Sequence, residues 1–165
     1  MPDWPIHVIN LDRSTIRMEA IEQEMRQLDF GFERFSAVDG ARLTKTQIDD
    51  LTVEPGNAIV KKPLPRAEIA CYLSHVEVWK KIAEGPSPAA FVFEDDVKFR
   101  AHAGEVLREI ARRTPDWDIL KLYSDKPKSL FDMEDLGNGY SYGVTRILPM
   151  STVAYAITKR AAAHM

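Results

Sequence analysis

The chain carries a single cysteine, Cys71, in 165 residues. No internal disulfide can staple it, so nothing points to an oxidising compartment. No apolar run approaches the roughly 20 residues that span a bilayer. The opening, Met1-Pro2-Asp3-Trp4-Pro5, lacks the charged and apolar blocks of a signal peptide. A cytoplasmic location is the expectation, with peripheral contact at the inner face of a membrane left open. Basic residues are not in excess. The 22 Lys and Arg against 25 Asp and Glu give a net charge of −3, unlike a general nucleic-acid binder. There is no P-loop, no GxGxxG, no GxSxG and no internal repeat. At 45% apolar and 28% charged residues, the composition is that of a globular chain of single-domain length.

What is present reads as α/β. Ile6 to Leu11 is a buried-strand run, and Met18, Ile21, Met25 and Leu28 recur at helical spacing behind an N-cap at Ser14 or Thr15. Gly31 is the expected helix stop, and Phe32 to Val38 a second strand, which makes a β-α-β unit of a mostly parallel sheet flanked by helices. A short helix capped by Thr44 is expected to Leu51, then a Pro-rich loop to Pro65 with Lys61 and Lys62 that could close as a lid. Arg66 to Glu84 is strongly helical, and Gly85-Pro86-Ser87-Pro88 stops it. Ala89 to Phe93 is apolar throughout, as in a strand covered on both faces. A strand stub and helix from Val97 to Arg113, and strands at Trp117 to Tyr123, Val144 to Leu148 and Thr152 to Ile157, complete the reading, with 124–140 as polar turns and a new helix from Thr158.

Glu94-Asp95-Asp96 closes the most apolar strand. Adjacent carboxylates repel, so a buried strand end bearing three of them needs a cation or hydrogen-bond donors. Oxygen ligands suit Mg²⁺ or Mn²⁺; a solvated acidic turn is the alternative. Arg13 and Arg17 lie one helical turn apart at a strand-to-helix junction suited to phosphate, or else on a solvated face. Asp39-Gly40 is a turn that could also meet a ribose. Glu68, Cys71 and His75, with Ser74 beside them, form a stripe on one helix. Cys71 and His75 lack a further cysteine to complete a zinc set, and a histidine beside a core helix is most often structural. The Glu68, Ser74 and His75 part of the stripe is expected to border the pocket at the strand ends rather than to bind zinc, provided the preceding loop folds over the sheet edge.

Together these motifs resemble glycosyltransferase family 25, the lipooligosaccharide-type galactosyltransferases that also resemble collagen galactosyltransferases. The resemblance rests on Val8-Ile9-Asn10-Leu11-Asp12-Arg13 with Arg17, and on Phe35-Ser36-Ala37-Val38-Asp39-Gly40. It continues through Glu68-Ile69-Ala70-Cys71-Tyr72-Leu73-Ser74-His75 and Phe91-Val92-Phe93-Glu94-Asp95-Asp96-Val97, with a weaker match at Ser151 to Thr158. It implies a GT-A-like fold and a UDP-sugar donor bound near Asn10, Arg13, Arg17, Asp39, Gly40, Glu68, Ser74 and His75. Mn²⁺ or Mg²⁺ is expected on Glu94, Asp95 and Asp96, and the acceptor is a saccharide or glycolipid. Relatives of this kind run well past residue 165, so an acceptor-side continuation is expected to be missing. Asp95 and Asp118 are the candidates for a base on the acceptor hydroxyl. Two other readings are a noncatalytic nucleotide-sugar-binding domain and a metal-dependent nucleotidyltransferase or phosphatase.

Overall fold

A computed structural model describes residues 4–51, 64–126 and 129–165. The expected lid, with Lys61 and Lys62, falls outside these residues apart from Leu64 and Pro65. The elements are β1 (Ile6–Asn10), α1 (Thr15–Gln27), β2 (Glu33–Ser36), a short 3₁₀ turn (Gly40–Arg42), α2 (Lys45–Leu51) and α3 (Arg66–Glu84). They continue with β3 (Ala89–Glu94), α4 (Ala103–Arg112), β4 (Ile119–Lys121), β5 (Phe131–Gly137), β6 (Tyr140–Val144), β7 (Ala154–Thr158) and α5 (Lys159–Ala162).

Strand periodicity divides the core into two layers. Ile6, Val8, Phe91, Phe93, Ala154 and Ala156 face Ile21 and Met25 of α1 and Leu107 and Ile110 of α4. Ile9, Ala90, Val92, Tyr155 and Ile157 face Val78, Trp79 and Ile82 of α3. That two-sided covering is why β3 is apolar at every position from Ala89 to Phe93.

The five strands run in the order β2-β1-β3-β7-β4. β1 pairs in parallel with β2 and with β3, whereas β7 is antiparallel to both β3 and β4. The sheet is therefore mixed, not mostly parallel. β7 follows β4 only after the β5–β6 hairpin and returns in the opposite direction between β3 and β4, a placement that no local pattern encodes.

Other boundaries shift for local reasons. α1 ends at Gln27, and Asp29 turns the chain with φ 56°, so Gly31 is not the stop. Thr44 caps α2 as expected. Its Oγ1 accepts from Gln47 N at 3.2 Å while Gln47 Oε1 accepts from Thr44 N at 2.9 Å, a reciprocal capping box. No strand forms at 97–100, and Val144 to Leu148 is not a strand: β6 ends at Val144, and Ile147 and Leu148 are exposed. The polar segment holds a hairpin instead. β5 is exposed along most of its length, so it shows no alternation, and its turn is carried by Gly137, Asn138 and Gly139, all at positive φ. No helix among the described residues is long and apolar enough to cross a membrane.

Candidate functional site

β1 and β3 end side by side, with Ile9 opposite Glu94. The core layers place α1 on one face of the sheet and α3 on the other. A crevice at the carboxyl ends of such neighbouring parallel strands is where α/β sheets take ligands. A cavity of about 230 Å³ occupies it, lined by Arg13, Arg17, Gly40, Ala67, Cys71, Ser74, His75, Glu94 and Asp95 among others. The N-terminal half of α3 forms one wall. A helix joining parallel strands runs antiparallel to them, so its start already stands over the strand ends, and the expected folding of the preceding loop over the sheet edge is not needed.

Asn10 and Asp95 form a buried knot under the cavity. Asn10 Nδ2 donates to Asp95 Oδ2 at 2.6 Å and to the Ser14 carbonyl at 3.1 Å, and its Oδ1 accepts from Arg34 Nε at 3.0 Å. Arg17 Nη1 lies 3.0 Å from Asp95 Oδ1. Burial pushes the Asp95 carboxyl above its usual range, opposed by the Asn10 hydrogen bond and the Arg17 charge. All of Asn10's polar atoms are occupied within the protein. Its placement is that of a positioning residue for Asp95, not of an open donor contact.

Glu94 stands in a second hydrogen-bonded chain. Trp79 Nε1 donates to the Tyr155 hydroxyl at 2.8 Å, and that hydroxyl is 2.8 Å from His75 Nδ1. The Trp79 proton occupies one side of the Tyr155 oxygen, which leaves the hydroxyl proton for His75 Nδ1 and the Nε2 proton for Glu94 Oε1, 3.4 Å away. Thr152 Oγ1 donates to the same Glu94 oxygen at 2.5 Å. Cys71 Sγ lies 3.9 Å from Thr152 Oγ1. Burial alone would push the Glu94 carboxyl up, yet the hydrogen bonds from His75 and Thr152 hold it below its ordinary range. Burial pushes the Cys71 thiol up, helped by the Glu94 charge, and pushes the Tyr155 phenol up strongly. Lys121 is pushed down by burial against the pull of Glu94; its Nζ donates to the Ser151 carbonyl and lies 5.4 Å from the centre of the Tyr155 ring. Thr152, Tyr155, Trp79 and Lys121 were not legible as site residues. Thr152 and Tyr155 do sit within the Ser151 to Thr158 match, but only the pairing of β7 with β3 carries them to Glu94.

The other expected site residues divide. Arg13 and Arg17 share the cavity; Arg13 is ion-paired with Asp39, whose carboxylate also caps the following turn through Ala41 N at 2.9 Å. Gly40 lines the cavity for a packing reason. A Cβ there would stand 2.9 Å from the Arg66 carbonyl oxygen. Ser74 Oγ donates to the Ala70 carbonyl at 2.7 Å and accepts from Val38 N at 2.9 Å, fastening the segment after β2 to α3. Glu68 is exposed and is not among the cavity-lining residues. Asp118 is ion-paired with Arg160 at 2.7 Å, and its carbonyl accepts from Thr158 N. Thr158 pairs with Ala89, the first residue of β3, so Asp118 lies at the opposite end of the sheet and cannot serve this cavity as a base.

The three consecutive carboxylates do not converge. β3 ends at Glu94, and past it Asp95 turns inward while Asp96 is exposed and lines a separate cavity of about 770 Å³ between α4, β4 and the hairpin. Asp95 is already engaged by Asn10 and Arg17. As placed, Glu94, Asp95 and Asp96 do not make a three-carboxylate cation site. Among the described residues the His, Cys, Asp and Glu side chains that gather closely enough to share an ion are Cys71, His75 and Glu94.

The structure is thus an α/β domain with arginines and carboxylates lining one strand-end cavity. The chain belongs to glycosyltransferase family 25: the family model, described as an LPS biosynthesis protein, matches residues 3–165. It is 32% identical to a glycosyltransferase 25 family member of Anopheles gambiae over 161 residues, covering 93% of this chain and 27% of that protein. It is 30% identical to procollagen galactosyltransferase 2 of Homo sapiens over 123 residues, 70% of this chain and 20% of that protein. For procollagen galactosyltransferase 1-A of Xenopus laevis the identity is 29% over 125 residues, 71% of this chain and 20% of that protein. The chain thus spans about a quarter or less of the length of these relatives.

Proposed function

We propose that this chain forms the donor-binding part of a transferase that moves a hexose, galactose in the first instance, from a UDP-sugar to a hydroxyl of a saccharide or glycolipid acceptor in surface-glycan synthesis. The observation that carries the reading is the meeting of Arg13 and Arg17 with Glu94 and Asp95 in one cavity at the ends of β1 and β3. The names of the animal relatives support galactose, and the family description supports a lipopolysaccharide setting. On this reading the mixed sheet is a nucleotide-sugar-binding fold of the GT-A type.

Transfer breaks the bond between the anomeric carbon and a phosphate oxygen, so the departing diphosphate gains negative charge. Preorganised cations stabilise that charge as it develops. Arg13 and Arg17 each hold a carboxylate and still have N–H groups to spare, since a guanidinium carries five. Asp95, locked by Asn10, fixes the direction of Arg17. Glu94 stays ionised and presents its carboxylate to the sugar end. The cavity is smaller than the roughly 300 Å³ lower bound for pockets that enclose a drug-sized ligand. It takes the sugar-phosphate portion, with the nucleoside lying across Gly40 and Ala41 at the rim.

Calorimetry with UDP and UDP-galactose tests the reading, using the natural protein. Arg17→Ala should weaken binding by a factor of about 10–100, the equivalent of losing one charge-assisted hydrogen bond. Unchanged affinity removes Arg17 from the site and with it the proposed donor cavity. Titrations with and without Mn²⁺ form a second arm. A loss of Mn²⁺-dependent binding in Asp96→Asn would mean that the strand-end carboxylates regroup around a cation when donor binds.

A further inference from the structure

Cys71 and His75 are one turn apart on α3, and β3 delivers Glu94 opposite them, so that one ligand atom from each lies within 4.8 Å of the others. We propose that these three side chains form a binding site for a thiophilic divalent ion, Zn²⁺ by chemistry, on the inner wall of the cavity. It takes Glu94 from the consecutive carboxylates and leaves Asp95 to Asn10 and Arg17.

The donor set matches zinc in number and kind: thiolate, imidazole and carboxylate, with a fourth position open to the cavity. Tetrahedral zinc with bonds of about 2.0–2.3 Å holds its ligands about 3.5 Å apart, so the cluster closes by side-chain movements of about 1 Å. Charge also balances. A thiolate and a carboxylate neutralise a divalent ion, while a hard cation such as Mg²⁺ has no use for sulfur. The surroundings supply an outer shell. His75 is buried, and its Nδ1 is held by the Tyr155 hydroxyl, itself anchored by Trp79. On binding, His75 Nε2 gives up its proton to take the metal and Nδ1 becomes the protonated nitrogen, donating to the Tyr155 oxygen while the hydroxyl proton turns away from His75; the Cys71 thiol proton is released to solvent. Thr152 continues to donate to Glu94. This is the pattern in which the far nitrogen of a ligating histidine is fixed by a hydrogen bond.

The readout is the metal alone, with no donor or acceptor present, so it stands or falls independently of the transferase reading. Co²⁺ titrated into the reduced protein should give tetrahedral d–d bands and a thiolate-to-cobalt charge-transfer band at one equivalent, and Zn²⁺ should erase both. Cys71→Ser should abolish the charge-transfer band. Tyr155→Phe, which leaves all three ligands in place, should weaken Co²⁺ by about 10–100-fold. In the unaltered protein, Zn²⁺ but not Mg²⁺ should protect Cys71 from alkylation, a measurement that needs no variant to fold. Absence of the charge-transfer band, its persistence in Cys71→Ser, or alkylation indifferent to Zn²⁺ would each overturn the site.

Discussion

Replacing Asn10 by alanine should destabilise this protein far more than removal of a ligand-contacting side chain would. Asn10 is buried, and its amide reaches three different segments: Asp95 after β3, the Ser14 carbonyl at the start of α1, and Arg34 on β2. The bond to the buried Asp95 carboxyl, which also faces Arg17, is worth about 1.5–3 kcal/mol and the one to Ser14 about 1 kcal/mol. The bond from half-exposed Arg34 is discounted by solvent to under about 1 kcal/mol. The total expected loss is about 3–5 kcal/mol, roughly a fifth or more of the stability of a typical domain. Urea unfolding followed by circular dichroism reads it directly. In melting temperature it corresponds to a drop of about 6–20 °C for a chain of this size. Asn10→Asp sharpens the test, because it sets a second carboxylate against Asp95 Oδ2. That variant should be worst at neutral pH and recover on acidification as the pair comes to share a proton. A loss under about 1 kcal/mol in Asn10→Ala would refute the knot and return Asn10 to the role of an open donor contact.

Gly40→Ala should cost about 1–3 kcal/mol, because the new methyl meets the backbone carbonyl of Arg66 at 2.9 Å and the start of α3 must shift; an unchanged urea midpoint would show that this approach is not tight. His7 supplies a pH test. Burial pushes its pKa below 6.5, with Glu33 opposing and Lys81 adding to the push. The unfolded chain therefore takes up that proton at higher pH than the folded one, so stability is full above about pH 6.5 and falls as the pH drops through the lowered value. His7→Gln should flatten the urea midpoint between pH 7 and pH 5; an equally steep profile would assign the slope to another group.

Much of the scaffold was legible because its causes are local. The bounds Arg66–Glu84 of α3, the Thr44 cap and the buried run of β3 follow from periodicity, capping chemistry and two-sided burial, all of which act over a few residues. The family was legible for a related reason: its motifs are short and contiguous. The site was legible only in its residue types. That Arg13, Arg17, His75, Glu94 and Asp95 would share a cavity could be inferred from strand ends and one helix stripe. That Asp96 would leave them, that Asn10 would be consumed as a clamp, and that Asp118 would lie at the far end of the sheet could not. Those outcomes depend on where β3 stops and on the insertion of β7 between β3 and β4, decided by long-range pairing and not by sequence spacing. β7 also brings Thr152 and Tyr155 to His75 and Glu94 across about 60 to 80 residues of chain. The sequence alone therefore determined which chemistries were available, through charge, the lone thiol and the strand-end carboxylates. Only the tertiary structure decided which of them meet, because a hydrogen bond acts over about 3 Å and strand order sets that distance.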